Sequence, residues 1–136
     1  MHIISTKALS LSTLRTLVLE GSKIELSDEV VQKIQECRDY LDHKIEATTD
    51  PIYGINTGFG SLCDVRIHSE NLTKLQENLV RSHACGTGDF VPKPIIKLML
   101  LLKIKSLSYG HSGIQLETVN RLVSFYNNDI LPVIYT

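Results

Sequence analysis

The apolar residues of the chain recur at helical spacing over most of its length. Residues 11–20 form the first such segment, and Gly21 marks its end. A second segment follows Ser27, a residue type that caps helix N-termini, and it carries two acids in its first turn, where the helix dipole stabilises them. Its apolar face consists of Val30, Ile34, Cys37, Leu41 and Ile45. These patterns predict two helices with one buried face each.

Three further helices are predicted in the second half of the chain. The first follows Ser69, another good N-terminal cap, and ends around Gly86. Its stripe consists of Leu72, Leu75, Leu79 and His83. The next helix begins with two prolines near position 92 and is closed by Gly110, and the last covers residues 115–126. Helix is therefore the dominant secondary structure that the sequence predicts.

Three short stretches lack helical spacing and are predicted to be extended, at residues 2–5, 23–26 and 130–135. The predicted fold class is mainly α, with short β segments near the N-terminus and an extended C-terminal end. The helix at 95–107 is unusual because its apolar residues lie nearly all round its axis. A helix of this kind belongs inside a larger assembly, so we expect a bigger helical protein or an intimate oligomer.

Composition narrows the class of protein further. The chain has 136 residues, of which 43% are hydrophobic, which is enough for one domain with a core. A formal net charge of -1 and dispersed basic residues argue against nucleic-acid binding, and no apolar run is long enough to span a bilayer. Three cysteines without ligand spacing suit reduced thiols, so we expect a cytoplasmic protein. The five histidines are dispersed, and no metal site is predicted.

Residues 53–60 form a loop with three glycines that opens on Tyr53. Glycine is used where the backbone turns sharply or approaches another group closely. Tyr53 is therefore either a tyrosine packed in a tight turn or a reactive group mounted on it. A phenol has a reference pKa of about 10, so it acts as a base only where its surroundings favour phenolate.

Four stretches of the chain together carry a family resemblance: residues 53–60, 78–88, 106–113 and 129–132. With these motifs, the chain resembles the N-terminal part of the histidine ammonia-lyases, within the aromatic amino acid lyase family. The resemblance runs through nearly the whole chain and is strongest from Ile52 onward. It implies that residues 1–136 are the N-terminal segment of an ammonia-lyase-like helical domain, and that this domain is incomplete.

The resemblance also implies roles for four residues. Tyr53 matches the tyrosine that removes the β-proton of the substrate, and the backbone of Gly60 matches a position that approaches the substrate. Ser82 and His83 match the pair that selects the substrate, in the version that accepts L-histidine. An imidazole can form a hydrogen bond with the imidazole of the substrate, which a leucine cannot. The alternative for His83 is a core histidine on the apolar stripe of its helix.

The resemblance also implies an assembly and a reaction. Members of the family are homotetramers that eliminate ammonia from an α-amino acid, and those that act on histidine convert it to urocanate. Their electrophile is 4-methylidene-imidazol-5-one (MIO), which forms by cyclisation of an internal Ala-Ser-Gly. No Ala-Ser-Gly occurs among the 136 residues, so the resemblance implies that this chain alone lacks lyase activity.

Two alternatives remain open at this stage. Within the same class, the chain could belong to a lyase or aminomutase that acts on tyrosine or phenylalanine, since some tyrosine-type members also carry Ser-His. In a different class, it could be a non-enzymatic helical module that assembles with itself or with a partner. The missing tripeptide and the helix that is apolar all round motivate this second alternative.

Overall fold

The computed structural model describes residues 1–48, 50–63, 65–67 and 71–136, and within them all side chains except that of Leu72. The predicted cap Ser69 lies outside the described residues. Five helices are described: α1 (Leu11–Leu19), α2 (Asp28–Ala47), α3 (Leu72–His83), α4 (Lys93–Leu107) and α5 (Leu116–Asn127). The described residues also contain two strands, β1 (His2–Ile4) and β2 (Ile24–Leu26), and a 3₁₀ turn at Gly60–Leu62. The predicted fold class is confirmed, with helix ends within a few residues of expectation.

The chain divides into two compact units. Unit 1 comprises Met1–Lys44 and Gly88–Thr136, and unit 2 comprises Ile45–Thr87. No helix in the described part of the chain is long and apolar enough to cross a membrane.

Unit 1 contains the hydrophobic core, which has two adjoining parts. Its larger part consists of Ile4, Leu17, Ile24, Leu101, Ile104 and Tyr126. Its smaller part consists of Val30, Ile34, Leu107 and Val119. The helical stripe predicted for α2 is confirmed in graded form, because Val30 and Ile34 are fully buried while the later members of the stripe are half-buried. The core therefore brings together α1, α2, α4, α5 and both strands.

The two strands pair in parallel, with His2 opposite Ile24 and Ile4 opposite Leu26. Helix α1 connects them, so the pairing could not be inferred from either short segment alone. The amide of Asn127 caps the free edge of β2, donating to the carbonyl of Ile24 at 2.9 Å and accepting from its N–H at 2.8 Å. A side chain thus satisfies backbone groups that would otherwise form an open sheet edge.

Helix α4 buries two lysines and exposes apolar side chains on its outer side. Lys97 and Lys105 are buried, while Ile95, Met99 and Leu102 are about half exposed. The Lys105 ammonium donates to the carbonyl of Ser5 at 2.6 Å. The expectation of an apolar surface all round this helix therefore holds on its outer side, whereas hydrogen bonds satisfy the two buried lysines.

Tyr126 links three elements of unit 1. Its hydroxyl donates to the carbonyl of Leu17 at 2.6 Å, and the Lys97 ammonium lies 4.9 Å from the centre of its ring. Lys97 also donates to Asp129 at 2.5 Å, just where the chain turns into its final extended segment. Burial, and then the Asp129 carboxylate, raise the pKa of Tyr126 to about 12.

This pKa predicts an alkaline loss of stability. In the unfolded chain a tyrosine has a pKa of about 10, so between pH 10 and pH 12 the unfolded state releases a proton that the folded state retains. The contribution of Tyr126 to the free energy of unfolding is fully present below pH 10. It falls by about 2 kcal/mol as the pH rises to 12. In Tyr126→Phe we expect this component to be absent. Urea titrations of both proteins at several alkaline pH values measure the difference, and equal pH dependence would contradict the assignment.

The loop between α4 and α5 packs tightly on α2. Gly110 has φ +70°, and a Cβ there would lie 2.8 Å from the carbonyl oxygen of Lys33. Arg38 donates to the carbonyl of Gly113 at 3.3 Å and is paired with Asp42, whose pKa its hydrogen bond lowers. Glycine is therefore required in this loop by backbone conformation and by lack of space.

A matched pair of substitutions separates these two causes. Gly21 has φ +69°, but a Cβ there meets nothing within 4 Å. We expect Gly21→Ala to lose about 1–2 kcal/mol from left-handed backbone strain alone. Gly110→Ala should lose at least about 1 kcal/mol more, because the backbone of Lys33 cannot move aside easily. Chemical denaturation of both variants measures the free energy of unfolding. Equal losses in the two variants would show that the backbone of α2 moves aside to accommodate the new methyl group at position 110.

Candidate active site

The glycine loop is held by its own hydrogen bonds. The carbonyl of Ile52 accepts from the N–H groups of Ile55 and Asn56, which closes the turn that carries Tyr53. The Asn56 side chain reaches back, accepting from the N–H of Ile52 at 2.6 Å and donating to the carbonyl of Asp50 at 3.1 Å. Asn56 is buried, so a polar side chain at the centre of the loop fixes the path of the backbone on either side of Tyr53.

The second half of the loop folds back on itself. Thr57 and Arg66 form an isolated antiparallel bridge, and the N–H of Gly58 donates to the carbonyl of Val65 at 3.0 Å. A Cβ on Gly58 would lie 2.6 Å from that of Leu62, so this glycine is required by close packing within the loop. The sequence marked the loop as tight, but it did not indicate these pairings, which join residues nine and seven positions apart.

Tyr53 projects from this loop into solvent. Its side chain is 64% exposed, and its ring packs against that of Phe59 with centroids 6.2 Å apart and an interplanar angle of 73°. Gly60 follows at φ +59°, and a Cβ there would meet nothing within 4 Å. The backbone at Gly60 is thus open to approach, and its predicted contact with a substrate stays a prediction.

Ser82 and His83 lie together at the C-terminal end of α3. The Ser82 hydroxyl donates to the carbonyl of Leu79 at 3.0 Å and lies 3.0 Å from Nδ1 of His83. Nδ1 of His83 lies 2.9 Å from the same carbonyl. A carbonyl can only accept, so the contact of Nδ1 with Leu79 is a hydrogen bond in the tautomer that carries the proton on Nδ1, and in that tautomer Nε2 of the neutral ring is an acceptor. Both residues are exposed, so the interpretation of His83 as a core histidine is not supported within this chain.

All four predicted site residues belong to unit 2, but they form two separate clusters of contacts. Tyr53 contacts Phe59 in the glycine loop, and Ser82 contacts His83 on α3. Among the described residues, no hydrogen bond joins one cluster to the other. Within the same residues, no three His, Cys, Asp or Glu side chains come close enough to hold a metal ion. Of the histidines, His68 lies outside the described residues.

Three residues that position the loop were missed by the sequence analysis: Asn56, Thr57 and Phe59. Asn56 and Thr57 lie between Gly54 and Gly58, and two polar residues within a tight glycine loop could have indicated an internal hydrogen-bond network. Only the structure could show which ring Phe59 contacts.

The described part of unit 2 buries little apolar surface. Its described buried residues are Asn56, Thr57 and Gly58, while Leu75 and Leu79 on α3 are half-buried. Because apolar burial is the main stabilising contribution to a fold, this unit is held mostly by local hydrogen bonds. We therefore expect the candidate site to lie in the less stable part of the chain.

Comparison with known proteins shows the family to which this chain belongs. Residues 9–136 match the family described as aromatic amino acid lyase, and the chain belongs to that family. A histidine ammonia-lyase from Deinococcus radiodurans is 40% identical over 132 residues, which cover 97% of this chain and 25% of the relative. The chain thus spans about a quarter of the length of the curated relatives that it matches.

Solved structures agree on the fold. The histidine ammonia-lyase from Trypanosoma cruzi superposes with a TM-score of 0.80 at 37% identity, covering 92% of this chain and 24% of that one. The tyrosine aminomutase from Streptomyces globisporus superposes with a TM-score of 0.90 at 26% identity, covering 98% of this chain and 25% of that one. The resemblance to the N-terminal part of histidine ammonia-lyases is confirmed by these matches.

The contrast between the two units predicts a contrast in amide exchange. In the isolated chain we expect amides of α3 near Leu79 to exchange at least about tenfold faster than amides of α4 near Leu101, because local opening exposes little apolar surface in unit 2. Hydrogen exchange followed by NMR measures both helices in one sample. Equal protection of α3 and α4 would show that unit 2 is as stable as the core of unit 1.

Proposed function

We propose that this chain is the N-terminal quarter of a histidine ammonia-lyase, which eliminates ammonia from L-histidine to give urocanate. The observation that carries the proposal is the arrangement of Ser82 and His83, which presents an exposed imidazole in the same compact unit as Tyr53. The 40% identity to a histidine ammonia-lyase supports the choice of histidine.

The tautomer of His83 explains what it would recognise. In the tautomer whose Nδ1 donates to the carbonyl of Leu79, the neutral ring offers Nε2 as an acceptor to an incoming group. The imidazole N–H of histidine can donate to it, and so can the hydroxyl of tyrosine. The side chain of phenylalanine has no donor, and binding it would leave Nε2 unpaired. His83 therefore favours a substrate with a polar ring.

Tyr53 would serve as the base that removes the β-proton. Its phenol lies at the surface of a hydrogen-bonded loop, where a substrate could reach it. A phenol accepts a proton only as phenolate, so the complete site would have to stabilise that anion by a cation or by hydrogen bonds. Gly60, seven residues later, would let the substrate approach the backbone.

The remaining machinery would come from outside this chain. MIO forms from Ala-Ser-Gly, and the 136 residues contain none, so they cannot supply that electrophile. We propose that the active protein is a cytoplasmic homotetramer, as the family resemblance implies. The half-exposed apolar residues of α4 suit a chain that is covered by further protein.

A tyrosine-type lyase or aminomutase is the second candidate. The tyrosine aminomutase noted above has the same fold over 98% of this chain, and the acceptor on His83 suits a phenol as well as an imidazole. A non-enzymatic helical module is the third candidate. Catalytic tests separate it from the first two, since a module requires neither Tyr53 nor His83.

A chimeric enzyme tests the proposal. We expect activity when this chain replaces the matching 132-residue segment of the Deinococcus radiodurans relative, with urocanate formation followed by its absorbance. Tyr53→Phe should lower kcat by about 10²- to 10⁴-fold, the usual contribution of a general base. His83→Leu should lower kcat/KM for histidine by about tenfold or more, because a hydrogen bond is lost, and should improve relative turnover of phenylalanine.

Controls make each outcome interpretable. The 136-residue chain alone should form no urocanate, and turnover by it would refute the need for outside machinery. Circular dichroism and thermal melting confirm that each chimera folds. A folded chimera that turns over tyrosine but not histidine would favour the second candidate. A folded chimera whose activity is unchanged by Tyr53→Phe would overturn the assignment of the base.

A further inference from the structure

We infer that Phe59 is a positioning residue that sets the direction of the Tyr53 phenol. The inference rests on the proposed function, because it takes Tyr53 to be the base. It concerns a residue that contacts Tyr53 and that the catalytic roles described above do not include.

The ring of Phe59 is placed by the backbone on both sides of it. Its carbonyl accepts from the N–H of Leu62 at 3.1 Å, which begins the 3₁₀ turn. The preceding residue, Gly58, is fixed by its hydrogen bond to Val65 and by its close packing against Leu62. These contacts limit the backbone freedom of Phe59, so they define the point in the loop from which its ring projects.

The ring of Tyr53 packs against the ring of Phe59. The two rings meet edge to face, at 73° and 6.2 Å between centroids, which is a favoured geometry for aromatic pairs. Within the described residues, Phe59 is the aromatic ring that Tyr53 contacts, and the rest of its side chain is largely exposed. Without the ring of Phe59, the exposed tyrosine would sample other rotamers.

Orientation matters because proton removal is sensitive to geometry. The phenol oxygen lies at the far end of the ring, so a small rotation about the bonds near Cα moves it by an ångström or more. A misplacement of about 1 Å can lower the rate about 100-fold. Binding would change less, because the ring of the substrate is recognised by Ser82 and His83 on α3, and the predicted contact at Gly60 is made by its backbone.

The test compares three substitutions in the chimeric enzyme. We expect Phe59→Leu, which keeps apolar volume without a ring, to lower kcat about 10- to 100-fold with KM changed less than about twofold. Phe59→Tyr keeps the ring and should retain most of the activity. Val65→Ala alters an exposed side chain of the same loop while leaving its backbone hydrogen bond to Gly58, and it should behave like the parent.

A kinetic isotope effect separates positioning from stability. With β-deuterated histidine, Phe59→Leu should raise the isotope effect on kcat, because proton removal becomes the slower step. A variant that merely unfolds more easily would lower the active fraction without changing the isotope effect. In the 136-residue chain itself, NMR should show that Phe59→Leu shifts the ring protons of Tyr53, while Val65→Ala does not.

The outcomes are distinct. Unchanged kcat and isotope effect in Phe59→Leu, with Tyr53→Phe inactive, would overturn this inference and leave the proposed function intact. Equal loss of kcat in Phe59→Tyr and Phe59→Leu would also overturn it, since the ring would then not be what matters. Full activity of Tyr53→Phe would overturn the assignment of Tyr53 as the base, and the role of Phe59 with it, whereas a folded chimera that forms no urocanate would contradict the proposed function.

Discussion

The hydrogen bond from Tyr126 to the carbonyl of Leu17 joins residues 109 positions apart, inside the hydrophobic core that stabilises unit 1. It ties α5 to α1 within the buried core, and Lys97 of α4 lies against the same ring. Through Lys97 the network continues to Asp129, where the final segment begins. The Tyr126 phenol thus links three helices, and the polar groups buried with it have hydrogen-bond partners.

The two units are stabilised in different ways. Unit 1 has a hydrophobic core, whereas the described buried residues of unit 2 are Asn56, Thr57 and Gly58. The loop of the candidate site is held by hydrogen bonds and by an aromatic pair, which fix local geometry without burying much surface. Such a unit is suited to be completed by further protein, in keeping with relatives about four times as long as this chain.

The exposed site residues have a consistent explanation in the proposed function. A base and a substrate-selecting histidine must reach the substrate, so they cannot be buried in the core of their own segment. Neighbouring side chains form hydrogen bonds with the backbone near each of them. Asn56 donates to the carbonyl of Asp50 in the loop of Tyr53, and Ser82 donates to the carbonyl of Leu79 next to His83. The chain would therefore contribute oriented side chains to a site whose electrophile is made elsewhere.

The helices of unit 1 were determined by apolar residues at helical spacing, such as Val30 and Ile34, and by helix-ending residues such as Gly110. Both signals act over a few neighbouring residues, so the sequence alone contains them. The motifs around Tyr53 and His83 determined the family in the same local way. Only the tertiary structure decided the parallel pairing of β1 with β2, the burial of Lys97 and the contact of Tyr53 with Phe59. These depend on distant or turn-linked groups meeting in space, and spacing along a chain carries no record of such meetings.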